Sequence, residues 1–254
     1  MAVEDITADL PAGRIFYRDS GGAGVPVVFL HAASGNSSLW EFQIPAITGA
    51  GFRFIALDHR ATARGSNSSA LLEGLLAKLG IERCHLIGSA AGGGAALQFA
   101  LAHPDKLSSL VVANSIGFVL DREYLDMSSR IRPSPRFNDL PLEFRELGPS
   151  YRAAEPDGTA RWLLLSQQGQ RSTGARVQDG GNMEVTWAKL QTLKMPTLLM
   201  TGDADLYTPP SVLRMFGQRM RHAESVIIPE TGHSSYWENP VAFNAAVLAF
   251  LHKH

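Results

Sequence analysis

Short apolar runs alternate with helically spaced ones along most of the chain. VPVVFL (25–30), FRFIALD (52–58), CHLIG (84–88), LSSLVVANS (107–115), PTLLMTG (196–202) and ESVIIPE (224–230) are too short for buried helices and carry many β-branched residues. Most are continuously apolar rather than alternating, as strands covered on both faces of a parallel sheet must be. RIFYRDS, near residue 14, alternates and predicts an edge strand. Between these runs, SLWEFQIPAI, ALLEGLLAKLG, AALQFALAHP, SVLRMFGQRM and NPVAFNAAVLAFLHKH place apolar side chains at helical spacing. The last opens with Asn239 as a cap and Pro240 in its first turn. Alternation of this kind predicts an α/β architecture, a mostly parallel central sheet with helices on both faces.

The rhythm stops between residues 116 and 189. No run there looks like a buried parallel strand, and the composition turns polar and rich in Pro and Gly, as in RIRPSPRFNDLP, EPDGTARW and GQRSTGARVQDGGN. RELGPSYRAA, TARWLLLSQQ and MEVTWAKLQTL nevertheless keep helical spacing. The expected organisation is a core of residues 1–115 and 190–254, with 116–189 as a mostly helical lid over the carboxyl ends of the strands, where open α/β sheets bind ligands. Phe118, Tyr124, Phe137, Tyr151 and Trp162 are the aromatic residues that either line a pocket under this lid or form its own core.

Composition narrows the partners. With 254 residues, 45% hydrophobic, the chain can bury one large core. Lys and Arg number 23 against 24 Asp and Glu, a net charge of −1 without a basic block, which argues against nucleic acid and anionic membrane. The start, MAVEDITADLPAG, is acidic where a signal peptide is basic, and no run is long enough to span a bilayer, so a cytoplasmic location is expected. Cys84 is the only cysteine and predicts a buried thiol rather than a disulfide. His85 is expected in the core or at a sheet edge, and His59, His103, His222, His252 and His254 at the surface; no histidine has metal-ligand spacing, and no metal is expected. GSAAGGG lacks the Lys and Ser/Thr of a phosphate loop and the G-x-G-x-x-G spacing. No cofactor is expected; the partner is a small-molecule substrate, with a homodimer left open.

The chemistry centres on HLIGSAAGGGAALQFALAHP (85–104), which reads as strand, sharp turn, helix. A G-x-S-x-G nucleophile elbow has this shape, with glycines two before and two after a serine. Here the glycines are Gly88 and Gly92, and Ala90 stands between them.

Together with FLHAASGNSSLW, ALDHRATARGS, LLMTGDADLYTPP and TGHSSYWENP, this stretch resembles the α/β-hydrolase family from about Gly13 onwards. The departures are Ala32 where glycine is usual, Ala61, Ala63 and Gly65 in the second motif, and a short span between Asp58 and the elbow. The resemblance implies an oxyanion hole from the backbone N–H groups of Ala33 and Ala91, a triad acid at Asp205 (Asp203 being the alternative) and a base at His233. The order 90, 205, 233 is the family's nucleophile, acid, histidine order. His31 is expected to shape the oxyanion loop and, with Ser89, Trp162 and Tyr124, to contact substrate.

Alanine has no oxygen with which to attack, so the acyl-enzyme route is closed at position 90. Ser89 does not replace it, because adjacent side chains on a sharp elbow diverge. Three functions remain open. One is a hydrolase of small carboxylic esters or of carbon–carbon bonds in diketone-like compounds, inactive or slow in this form, with Ala90 either native or in place of serine. The second is a non-hydrolytic enzyme, a lyase or cofactor-free proton-transfer catalyst, that uses the His233–Asp205 dyad. The third is a ligand-binding protein without turnover.

Overall fold

The computed structural model of the chain describes residues 3–58, 68–115, 119–132, 135–172, 184–220 and 222–254. His59, Ala61, Ala63, Gly65 and Phe118 lie outside them. In chain order the elements are β1 (Glu4–Leu10), β2 (Gly13–Asp19), β3 (Pro26–Leu30), α1 (Gln43–Gly49), β4 (Arg53–Leu57), α2 (Ser68–Lys78), β5 (Cys84–Ser89), α3 (Ala91–Ala102) and β6 (Leu107–Ala113). An insertion follows, with α4 (Arg122–Ile131), α5 (Leu142–Glu146), α6 (Pro149–Ala154), α7 (Pro156–Ser172) and α8 (Trp187–Leu190). The chain then re-enters the sheet through β7 (Thr197–Gly202), α9 (Pro210–Arg219), β8 (Ala223–Ile228), α10 (Ser235–Glu238) and α11 (Pro240–Leu251).

The eight strands form one sheet in the order β1-β2-β4-β3-β5-β6-β7-β8. β1 and β2 are antiparallel to their neighbours, and every pair from β4 to β8 is parallel. The α/β expectation holds. One strand escaped the hydrophobic pattern, because β1 is an edge strand whose only buried residue is Ala8. One face, Ile6, Ala8 and Leu10, packs on the cluster with α2, while Asp5, Thr7 and Asp9 face outward; this short alternation stands out less than the continuous apolar runs. Its register on β2 is matched by charge, with Asp5 opposite Arg18 and Asp9 opposite Arg14. RIFYRDS, expected at the edge, is therefore β2, one strand in. Of the two places expected for His85 it takes the core, on the central strand β5, with Nδ1 2.8 Å from Ser109 Oγ on β6.

SLWEFQIPAI, expected as one helix, is two pieces, a 3₁₀ turn over Ser37–Trp40 and then α1. Asn36 Oδ1 caps the turn by accepting the Ser38 N–H at 3.0 Å. Pro45 supplies no N–H and its ring collides with the carbonyl four residues back, that of Glu41, so a helix can hold it only in its first turn, and α1 starts afresh at Gln43. The C-terminal helix starts as expected, with Asn239 Oδ1 accepting the Ala242 N–H at 3.1 Å.

Strand side chains divide between two buried clusters. Val28, Leu30, Ile55, Leu86, Leu110, Val112 and Leu199 pack with α2, α3 and α9 on one face. Val27, Phe29, Phe54, Ile87, Val111 and Met200 pack with α1 and α11 on the other. The insertion joins both, through Val119, Tyr124, Val185 and Trp187 in the first and Leu147 and Trp162 in the second. Its two ends also meet each other. Val119 and Val185 form an isolated parallel bridge, and the Trp187 N–H donates to Asp121 Oδ2 at 2.8 Å. No helix among the described residues is long and apolar enough to cross a membrane.

Candidate active site

The elbow is built where β5 hands over to α3. Ala90 takes φ 52° and ψ −115°, a conformation that costs a non-glycine residue about 1–3 kcal/mol. It is held from three sides. Its N–H donates to Ala113 O at 2.9 Å, while its carbonyl accepts the Gly93 N–H at 3.0 Å and the Ser115 hydroxyl at 2.6 Å. The flanking glycines are required by close packing. A Cβ on Gly88 would lie 2.2 Å from Gly92 O, and one on Gly92 would lie 2.2 Å from Leu30 O. That contact brings the loop after β3 against the first turn of α3. Ala33 is exposed on this loop and Ala91 is half-exposed at the helix start. Neither N–H donates to another described residue, so both remain available at the positively polarised end of α3.

Asp205 occupies the turn after β7. Its Oδ1 accepts the Tyr207 and Thr208 N–H groups at 2.7 and 2.8 Å, and Oδ2 accepts from Asn114 Nδ2 at 3.1 Å and Thr201 Oγ1 at 3.2 Å. Both oxygens lie 2.9 Å from His233 Nδ1. Asp203 is exposed, so of the two acids only Asp205 meets the histidine. Burial pushes the Asp205 carboxyl up, but the His233 charge, its hydrogen bond and the Thr208 and Asn114 donors outweigh burial and leave it below the ordinary value. Burial pulls the His233 imidazolium down, and the Asp205 charge and hydrogen bond overcome that and raise it above the ordinary value. With Nδ1–H donating to Asp205, Nε2 is left as the proton acceptor.

Four residues that the sequence did not single out complete the site. Asn114, one residue past β6, is fully buried at φ 47°. Its Nδ2 donates to Asp205 Oδ2 and to Gly232 O, both at 3.1 Å, and its Oδ1 accepts the Ser235 hydroxyl at 2.5 Å. Ser115 ties the same strand end to Ala90. β6 lies between β5 and β7, so this strand end bridges the elbow and the dyad. Its position at a strand's carboxyl end, with an asparagine tolerant of the left-handed region, was the available signal. Glu146, from the insertion, accepts the His233 N–H on its backbone carbonyl at 2.8 Å. Burial raises its carboxyl above the usual range while His233 pulls it down. Glu238 binds the backbone around His233. Both glutamates act through contacts that only the folded chain creates.

The insertion reaches the dyad through Tyr207. Its ring lies 4.4 Å from the His233 ring, centre to centre, with Phe137 at 5.1 Å on an edge and the Arg132 guanidinium 5.6 Å from its centre. Arg145 Nη1 donates to the Tyr207 hydroxyl at 3.0 Å. The other residues expected to contact substrate are buried. Trp162 is 0% exposed in the core with Trp40 and Tyr236, and Tyr124 is buried against Trp187 and Phe216. The Ser89 hydroxyl is sealed at the end of β5. His31 is buried in the loop after β3, with Nδ1 2.7 Å from Ala32 O. A depression of about 370 Å³ lined by Leu190, Met195, Thr197, Gln218 and Ala223 lies at the amino ends of β7 and β8, the opposite end of these strands from His233.

Known proteins share this plan. A Caulobacter sp. (strain K31) protein, RutD, whose name assigns it provisionally as a carbamate hydrolase, is 29% identical over 89% of this chain and 90% of its own. A 2-hydroxy-6-oxononadienedioate/2-hydroxy-6-oxononatrienedioate hydrolase of Pseudomonas sp is 26% identical over 97% of this chain and 95% of its own. Among solved structures, an esterase from Thermogutta terrifontis shares the fold at a TM-score of 0.81, with 22% identity and 98% of each chain covered. A family model described as the alpha/beta hydrolase fold matches residues 25–240. An eight-stranded sheet of this order, carrying an elbow after β5, an acid after β7 and a histidine after β8, places the chain in the α/β-hydrolase family.

Proposed function

We propose that this protein is a hydrolase of small carboxylic esters or of carbon–carbon bonds in diketone-like compounds, with alanine at the nucleophile position and turnover as a serine hydrolase therefore absent or slow. One observation carries the reading: the His233–Asp205 pair, with both carboxylate oxygens 2.9 Å from Nδ1, is assembled at the same strand ends as an elbow still held at φ 52°. The Pseudomonas relative, named for hydrolysis of a hydroxy-oxo-dioate, supports the substrate class. Residues 116–189 serve as the lid, since Tyr207 and Glu146 join that segment to the dyad.

In this form His233 Nε2 takes a proton from water as the hydroxide attacks the substrate carbonyl. The Ala33 and Ala91 N–H groups hold the oxyanion. Collapse breaks the ester or carbon–carbon bond, and the leaving oxygen or carbon takes the proton back from His233. No covalent intermediate forms.

Loss of a triad serine costs about a millionfold in turnover, against a residual of about a thousandfold from oxyanion hole and binding. The parent chain should not react with a fluorophosphonate probe. Ala90→Ser should label and should hydrolyse a short activated ester, read by mass spectrometry and by product release. An unlabelled Ala90→Ser, beside a parent whose His233-dependent product takes up no oxygen from 18O-labelled water, would replace this reading with the non-hydrolytic one.

A further inference from the structure

Glu238 lies at the end of α10, five residues past His233, and its carboxylate is bound by backbone N–H groups on both sides of that histidine. Oε2 accepts the Gly232 N–H at 2.9 Å, and Oε1 accepts the Ser234 N–H at 3.2 Å. Oε2 also accepts the Gly148 N–H at 2.7 Å, from the turn between α5 and α6. The two turns are otherwise in near-contact. A Cβ on Gly232 would lie 2.5 Å from Gly148 N, and one on Gly148 would lie 2.9 Å from Gly232 N. One residue after Gly232, the His233 N–H donates at 2.8 Å to the carbonyl of Glu146, two residues before Gly148. Glycine at both positions lets the two backbones approach closely enough to share one carboxylate.

We propose that Glu238 is the positioning residue of His233: it fixes the backbone before and after the histidine and fastens the α5–α6 turn of the insertion to it, so that the base and its cover move as one body. The inference rests on His233 as the base of the proposed function. Three donors converge here on two oxygens; burial pushes the Glu238 carboxyl up to about 7 against their pull, and once ionised it holds them by charge-assisted bonds about twice as strong as neutral ones. A plain helix cap would not account for the Gly148 bond, which leaves the loop altogether and enters the insertion.

The test is Glu238→Gln in the full chain, with Glu238→Asp beside it. Glutamine presents an NH2 group where one oxygen stood, so at least one of the three N–H donors faces another donor. Hydrogen exchange at Gly148, Gly232 and Ser234 should quicken about 10-fold or more while strands β3, β5 and β6 stay protected. The downfield proton of the His233–Asp205 hydrogen bond should shift or broaden, and the His233 titration midpoint should fall. In an Ala90→Ser background kcat should drop about 100-fold, the cost of a misplacement near 1 Å, with a smaller change in KM. Glu238→Asp keeps the charge and should restore part of each effect. Faster exchange at the three amides with an unchanged His233 proton and titration would make Glu238 a structural tie only and overturn the proposal. If Glu238→Gln does not fold, the Glu238→Asp shifts in the same signals decide. Should Ala90→Ser prove inactive while the His233 signals respond to Glu238, the hydrolase reading fails and the positioning role stands.

Discussion

At the scale of single residues, the elbow separates what a sequence states from what packing requires. Gly88, Ala90 and Gly92 were legible as a turn because their spacing is that of a nucleophile elbow, and the structure supplies the reason, a would-be Cβ 2.2 Å from backbone at both glycines. A Gly92→Ala change meets the Leu30 carbonyl, which cannot swing aside as a side chain does. It should lose about 3 kcal/mol in denaturant unfolding, the upper end for an overpacked site. Gly49→Ala, at the end of α1 with open space around it, should be neutral or stabilising by up to about 1 kcal/mol. Asp205 and His233 were likewise legible from their order, whereas Asn114 and Glu146 were not, because neither belongs to a motif and each acquires its role from a neighbour 91 or 87 residues away.

The dyad also fixes a pH dependence. A raised His233 value contributes stability that is present below the unfolded value of 6.5 and is lost as pH rises through the folded one. A lowered Asp205 value contributes stability that is present above the unfolded value of 3.8 and is lost as pH falls through the folded one. The pair is therefore most stabilising between the two. His233 should titrate above 6.5 by proton NMR and return toward or below it in Asp205→Asn. Because the base must be neutral to accept a proton, hydrolysis by Ala90→Ser should rise with pH through that same raised midpoint. A rate that rises through an unshifted value would mean that Asp205 does not govern the base.

At the scale of elements, hydrophobic pattern located seven of the eight strands and missed β1; it also found β8, expected buried from ESVIIPE, which is the other edge strand and buries only Ile228. β5, β6 and β7 are apolar on both faces and announce themselves, while β1 buries Ala8 alone and is defined by pairing across a two-residue turn. The insertion shows the same limit from the other side. Helical spacing identified TARWLLLSQQ, but a buried tryptophan looks the same in sequence whether it faces a ligand or a core. α7 turns Trp162 into the cluster of Trp40, Leu147, Tyr236 and Trp237, so this helix is an anchor for the insertion. Trp162→Ala should cost about 3–5 kcal/mol, as the loss of a large buried aromatic does. The fluorophosphonate reactivity of an Ala90→Ser partner should survive wherever the variant remains folded. A loss of labelling without loss of stability would return Trp162 to the substrate pocket.

At the scale of the whole molecule, the boundaries at 116 and 189 mark an insertion in topology, and packing argues against an independent unit. Val119, Tyr124, Val185 and Trp187 belong to the cluster under α2, α3 and α9, and Leu147 and Trp162 to the one under α1 and α11. The segment thus divides its largest buried side chains between two cores that the sheet itself completes. Without the sheet those side chains have little apolar surface to cover them, and helices of 4–17 residues are marginal in water. A peptide of residues 116–189 should show little helix by circular dichroism and no cooperative melt. The complete chain should unfold in one calorimetric transition, since the insertion cannot leave its two anchoring sites without exposing both faces of the sheet. A peptide that melts cooperatively, or a second transition in the full chain, would establish the insertion as a domain of its own, and the close tie between the α5–α6 turn and His233 would then be a contact between domains rather than part of one core.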